Sequence, residues 1–230
     1  MTDLSPEASI KASIKASTAN DSASLDFRKE YKQGSLEESS INQNPIAQLR
    51  NWLEQATQAG VIEPNAMTVS SVGANGRPSS RVVLLRGLED FGLTFFTNYT
   101  SRKGQEFDAH GFACTNFWWG PLERQVRVEG AISRVSSDES DAYFDSRPYE
   151  SQLSSAASPQ SQTTTRSDLE NLVAALRLEH PERVPRPDHW GGFRIVPDRF
   201  EFWQGRPARL HDRIVYVLED DAWKLQRLAP

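Results

Sequence analysis

Between Met67 and Arg134 the chain is a succession of short apolar runs divided by turn residues, and this spacing constrains the fold more than any other feature. Met67 to Val72 and Ser80 to Leu88 flank Asn75-Gly76, a pair that readily takes the left-handed backbone of a tight hairpin. Leu93 to Asn98 follows a turn at Glu89-Asp-Phe-Gly92, and Phe112 to Trp119 stops at Gly120-Pro121. Over 124–135 the alternation is plain: Val126, Val128 and Ile132 share one face, and Gln125, Arg127 and Glu129 the other. Further strands are expected at about 191–196, 199–204 and 211–228, the last broken at Asp220-Asp221. Many antiparallel strands with few helices between them predict a β-barrel decorated by helices. One run breaks the pattern. Val82-Val-Leu-Leu85 does not alternate, so both its faces are expected to be covered, one by the core and the other by a partner chain or a flat ligand.

Helices frame this β-region. One is expected over about 45–59, with Asn44 as its cap, Pro45 at its first position and Gly60 past its end. Its Ile46, Leu49, Leu53 and Ala56 fall on one face, with Trp52 beside them. A short helix is expected near 101–109. Residues 137–180 read mainly as helix, clearest in Leu169, Leu172, Val173 and Leu176, before a Pro-rich connector at 181–187. Residues 1 to about 25 are rich in Ser, Ala and Thr and repeat Ile-Lys-Ala-Ser. So few apolar residues cannot offset the entropy of ordering, which predicts a disordered tail ahead of a single domain over 26–230. With 230 residues, 37% of them apolar, the chain can bury one sizeable core.

A formal net charge of −5 argues against bulk attraction to nucleic acid or to an anionic membrane. Any bound anion must therefore be held by a local cluster of Arg and Lys. The single cysteine, Cys114, sits in the apolar run 112–119 and reads as an inert buried thiol. No apolar stretch reaches the length of a membrane span, and Asp3, Glu7 and Asp21 do not suit a transit peptide, so a cytoplasmic setting is expected. Glycine-rich nucleotide motifs are missing, and His110, His180, His189 and His211 have no metal-ligand spacing, so no metal is expected.

Three basic clusters remain. Arg81 and Arg86 bracket the non-alternating strand and Arg102-Lys103 follows; on a regular strand the two arginines project to opposite faces and could serve two anions. Arg102 and Lys103 open a helix whose free amides also favour a phosphate. A solvated basic surface paired to Glu89, Asp90 or Glu106 explains this cluster slightly better when it is taken alone. In the second cluster Tyr143 and Arg147 share a helical face and Ser151 follows Pro148; a helix end capped by Arg and Ser explains it equally well. In the third, Arg209, His211 and Arg213 line one face of a strand. Three basic groups there repel one another unless an anion lies against them, which favours a binding role over acidic neighbours across the sheet.

Taken in order, these segments resemble the pyridoxine/pyridoxamine 5′-phosphate oxidase family. The likeness runs from Phe27-Arg-Lys-Glu-Tyr31 to the C-terminal Trp223–Pro230. Its most specific parts are Leu122-Glu-Arg-Gln-Val126, Ser146-Arg-Pro148, Trp190-Gly-Gly-Phe-Arg194, Glu201-Phe-Trp-Gln-Gly205 and Arg209-Leu-His-Asp-Arg213. The resemblance implies a mainly β (α+β) fold, an antiparallel FMN-binding split barrel with surrounding helices that works as a homodimer. It implies FMN held by Arg81, Val82, Val83, Leu84, Leu85, Arg86, Phe96, Thr97, Arg102 and Lys103. Gln125, Gln160, Ser161, Trp203 and Arg213 match further FMN positions, some supplied by the second subunit. The implied substrate positions are Arg86, Tyr143, Arg147 and Ser151 around a phosphate, with Arg209 and His211 at the pyridine ring and a lid at Arg28, Lys29, Glu30 and Tyr31. Two positions depart from the family: Arg86 stands where Lys is usual and Phe96 where Tyr is common, and Arg86 replaces a compact ammonium with a planar fork.

The activity so implied is oxidation of pyridoxine or pyridoxamine 5′-phosphate by O2 to pyridoxal 5′-phosphate. Arg209 is the expected ring-placing and electrostatic residue, and His211 the candidate proton acceptor, against a packing role for the same ring. The rivals are an FMN oxidase of the same fold acting on another ring, such as a phenazine precursor, and a non-catalytic flavin- or pyridoxal-phosphate-binding module.

Overall fold

The computed structural model describes residues 30–230; the expected tail over 1–25, and Arg28 and Lys29 of the expected lid, lie outside them. Asn44 accepts the amides of Ile46 and Ala47 and opens helix α1, Pro45–Gln58. Its Ile46, Leu49, Trp52 and Ala56 are buried in the main core, as the spacing required.

The hairpin at Asn75-Gly76 joins β1 (Ala66–Val72) to β2 (Pro78–Leu84). There β2 ends, short of the expected Leu88. Leu85 donates its amide to Asn65 at the foot of β1, and Arg86 donates its amide to Thr94 of the next hairpin. That hairpin is β3 (Gly87–Glu89) with β4 (Gly92–Asn98). Helix α2 (Arg102–His110) then leads to β5 (Phe112–Trp119) and β6 (Arg124–Arg134). The main path of the sheet runs β2-β1-β5-β6, then a long strand β7 (Trp190–Gln204), then β4-β3, so β2 and β3 are the ends of that path. Residues 85–86 thus carry the chain from one end of the sheet to the other. The barrel closes there, and a split is left between β2 and β4.

The stretch 137–180 is three helices: α3 (Ser137–Asp145), α4 (Tyr149–Ala157) and α5 (Arg166–Glu179). Pro148, with no amide to donate, separates the first two. The two strands expected at 191–196 and 199–204 are one strand, β7 (Trp190–Gln204). Its first part pairs with β4 and its last part with β8 (Asp212–Glu219), and the β6 register shifts at Glu129/Gly130, opposite Pro197. The bulge lets one strand change neighbours without breaking. β9 (Ala222–Leu228) completes the sheet after left-handed residues at Asp220 and Asp221.

One sequence-based expectation fails here. Residues 209–211 are not strand: Pro207–Arg209 is a tight turn in which Ala208 and Arg209 take φ of 52° and 62°. Arg209, His211 and Arg213 therefore do not share a strand face.

Phe95, Phe117, Phe193, Phe200 and Phe202 are fully buried within the curled sheet. A smaller cluster of Phe144, Leu153, Val184 and Trp190 holds α3 and α4 against the start of β7. The Gly191 of Trp190-Gly-Gly is required by close approach, since a side chain there would meet the Tyr99 hydroxyl. Among the described residues no helix is long and apolar enough to cross a membrane.

Candidate active site

The split between β2 and β4 is a cavity of about 500 Å³, lined by Arg81–Leu84, Arg86, Phe96–Asn98, Lys103, Tyr143, Arg147, Ser155, Gln160 and Trp190. Among the described residues β2 pairs only with β1, and beyond Thr94 β4 pairs only with β7, so each strand keeps one backbone edge toward the opening. Among the described residues, four cations and no carboxylate line it. Val82 is 66% exposed, so the double cover expected for this strand is not supplied by the described residues.

At one end stand Arg81 and Lys103. The Lys103 ammonium donates to Gln160 Oε1 at 2.6 Å and to Ser101 Oγ at 3.3 Å. Burial, and then repulsion from Arg81, push its pKa down to about 8. Arg81 donates to the Ser71 and Ser79 hydroxyls at 2.6 Å each and faces Glu106 at 3.4 Å. Arg102 turns outward from the cavity and pairs with Glu106 at 2.8 Å, while its amide donates to Ser161 Oγ. The bland reading of this cluster thus holds for Glu106 but not for Lys103, which has no carboxylate in ion-pair range among the described residues. The other two carboxylates go elsewhere: Asp90 to Arg50, and Glu89 to Thr94.

At the other end stand Arg86 and Arg147. The expectation that Arg81 and Arg86 face opposite ways fails, because β2 stops between them and both line one cavity. Arg147 donates to Ser155 Oγ at 2.8 Å and lies 4.7 Å from the Trp190 ring centroid. Burial holds its pKa below the usual guanidinium range; Tyr143 acts the other way, and Arg86 adds to the depression. Phe96 stacks on Tyr143 at 3.8 Å between ring centroids, forming an aromatic wall. Ser151 does not line the cavity; Ser155, one helical turn further along α4, does. Its i+4 spacing from Ser151 was the available sequence signal, and Asn98 and Trp190 also line the cavity unforeseen.

Gln125, Trp203, Arg209, His211 and Arg213 are absent from this lining. Gln125, Trp203 and Arg213 form a row of direct neighbours across β6, β7 and β8. Arg213 donates to Glu201 at 2.8 Å, so an acidic neighbour does satisfy it. The His211 ring packs beside Trp203 and Tyr31, with centroids at 4.7 and 5.6 Å. Its Nδ1 accepts the Arg206 amide at 3.1 Å, which places the proton of the neutral ring on Nε2. Burial, then Arg209, lower its pKa and favour that neutral form.

Residues 53–176 match the family model described as pyridoxamine 5′-phosphate oxidase, and residues 190–230 match the pyridoxine 5′-phosphate oxidase C-terminal dimerisation region. The chain belongs to the pyridoxine/pyridoxamine 5′-phosphate oxidase family. Curated members of this family from Cyanothece sp. and Cupriavidus pinatubonensis are 51% and 52% identical over 207 residues, covering 89% of this chain and 97% and 98% of theirs. Among solved structures, PhzG from Burkholderia lata, in complex with tetrahydrophenazine-1-carboxylic acid, superposes with a TM-score of 0.82 at 32% identity. That match covers 88% of this chain and all of the other. A pyridoxamine 5′-phosphate oxidase-related, FMN-binding protein from Nostoc punctiforme shares the fold, with a TM-score of 0.62, 20% identity and coverage of 79% of this chain and 96% of that one. The antiparallel split barrel expected of an oxidase of this family is the observed architecture.

Proposed function

We propose that this chain is an FMN-dependent oxidase converting pyridoxine or pyridoxamine 5′-phosphate to pyridoxal 5′-phosphate, in biosynthesis and salvage of that coenzyme. O2 is the electron acceptor, H2O2 is released, and the amine substrate also releases ammonia. One observation carries this reading: the cavity has two pairs of cations, Arg81 with Lys103 and Arg86 with Arg147, and among the described residues no carboxylate in its lining. Each pair repels itself until an anion arrives, which suits two phosphates, one on the cofactor and one on the substrate. The volume also fits, since small-molecule sites span roughly 300–1,000 Å³.

Arg81, Lys103 and the α2 N-terminus would hold the FMN phosphate, with Gln160 and Ser161 closing over that helix end. The free edges of β2 and β4 offer backbone donors and acceptors to the ring. The chemistry that FMN supplies when bound is acceptance of two electrons from the substrate's C4′ carbon, which it passes to O2. Arg86, Arg147, Tyr143 and Ser155 would hold the substrate phosphate, and the Phe96–Tyr143 wall limits where the pyridine ring can lie.

Arg209 and His211 belong at that ring. Because they do not line the cavity of their own chain, a second copy would supply them, together with Trp203 and Gln125, in a homodimer that shares its FMN sites. The match of residues 190–230 to a dimerisation region supports this. With its proton on Nε2, His211 is suited to donate a hydrogen bond to the substrate rather than to accept its proton. A phenazine precursor fits less well, since a ring without phosphate would leave Arg86 and Arg147 repelling each other in the cavity.

The test is anaerobic addition of pyridoxine 5′-phosphate to the purified protein, followed by air. Bleaching of a bound flavin, then its return with H2O2 and pyridoxal 5′-phosphate, is the expected result. A bound flavin that never bleaches would make the protein a binding module, and a protein unable to bind FMN would end the proposal.

A further inference from the structure

Glu106 does not line the cavity, yet its carboxylate organises one end of it. The side chain is 7% exposed, and both its oxygens are used. Oε1 accepts from Arg102 Nε at 2.8 Å, and Oε2 accepts from the Ser71 and Ser79 hydroxyls at 2.5 and 2.6 Å. An ionised carboxylate only accepts, so the single proton of each hydroxyl must point at Glu106. The hydroxyl lone pairs are thereby left for Arg81, which donates Nη1–H to Ser71 and Nη2–H to Ser79. Longer contacts of 3.4 Å to Val69 O and to Glu106 complete the cradle. Only the Nε–H of Arg81 has no acceptor among the described residues.

We propose that Glu106 is a positioning residue for the cofactor phosphate, holding the Arg81 guanidinium through Ser71 and Ser79 in the one orientation that serves the cavity. This rests on the reading above that Arg81 and Lys103 receive that phosphate. Burial by itself would raise the Glu106 pKa, but the two hydroxyls and Arg102 outweigh it and hold it at about 2. The carboxylate is therefore charged at every working pH. Its charge also has a purpose. Arg81, Arg102 and Lys103 less Glu106 leave a local excess of two positive charges, which matches a phosphate dianion. The same carboxylate ties α2 to the β1–β2 hairpin, and so fixes Lys103 relative to Arg81.

The test compares FMN with riboflavin, the same ring without the phosphate, on the flavin-stripped 230-residue chain. Glu106→Asp keeps the charge and withdraws the carboxylate by one methylene. It should raise the Kd for FMN by about tenfold or more, the size of one lost charge-assisted contact, and leave the Kd for riboflavin unchanged. Ser79→Ala removes one relay with no change of charge and should act in the same direction. Equal weakening of both flavins would make Glu106 a brace of the fold, and no change in either would also overturn the proposal. Thermal unfolding of the stripped variants shows whether they fold; if Glu106→Asp does not, Ser79→Ala decides alone. A wild-type chain that binds FMN no tighter than riboflavin would refute the phosphate site itself, whatever the variants do.

Discussion

At the scale of single residues, Lys103 is where burial and charge most directly oppose ionisation. Its pKa of about 8 belongs to the protein without a bound anion. A phosphate beside it favours the ammonium and raises that value, so binding takes up a proton. FMN affinity should accordingly fall as pH rises through about 8, and Lys103→Met should weaken binding and flatten that dependence; titrations from about pH 7 to about pH 9.5 read both. Arg147 and Arg209 separate in another way. Arg147→Ala should raise KM for the phosphorylated substrate by roughly tenfold or more while flavin stays bound. Arg209→Ala should depress kcat as well, because that side chain is assigned to the reacting ring. If Arg147→Ala loses flavin at normal KM, the two phosphates are assigned the wrong way round.

Single elements depend on a few local devices of unequal weight. Asn44 satisfies two amides at the start of α1, and Asn44→Ala should cost about 1 kcal/mol. Gly130 lies at the β6 register shift, where an added Cβ would meet the Val196 carbonyl and the Pro197 backbone. Backbone cannot yield as a flexible side chain can, so Gly130→Ala should cost more, about 1–3 kcal/mol. Urea unfolding of both variants measures the difference, and a silent Gly130→Ala would mean that the bulge is not needed for β7 to change neighbours.

For the whole molecule, the decisive matter is how the two separated groups of proposed site residues come together. Arg81, Arg86, Lys103 and Arg147 share one cavity, while Arg209 ends a turn outside its lining and His211 lies two residues past it. Val82 is 66% exposed at the cavity and Leu210 69% exposed just past that turn, so the described residues cover neither. Sedimentation should show a dimer at micromolar concentration. Complementation is the stronger test. When Arg147→Ala and Arg209→Ala chains are co-folded, each mixed dimer has one doubly altered site and one intact site. Random pairing should then restore about a quarter of wild-type activity. A site built within one chain would recover none.

The sequence by itself determined what acts over a few residues: the Asn44 cap, the Asn75-Gly76 hairpin, the alternation of β6, and the ordered motifs that carried the family resemblance. Capping, turn chemistry and side-chain period are local, so they are legible without coordinates. Only the tertiary structure decided that β2 stops at Leu84, that β7 is a single strand with two neighbours, and that Arg209 lies on a strained turn. It alone put Ser155 beside Arg147, and Glu106 35 residues from its partner Ser71. For the strand ends, the change of neighbours in β7 and the Glu106 contacts the physical reason is the same. Barrel closure and the pairing of buried charges are settled by residues far apart in the chain, and no local period records which of them will meet.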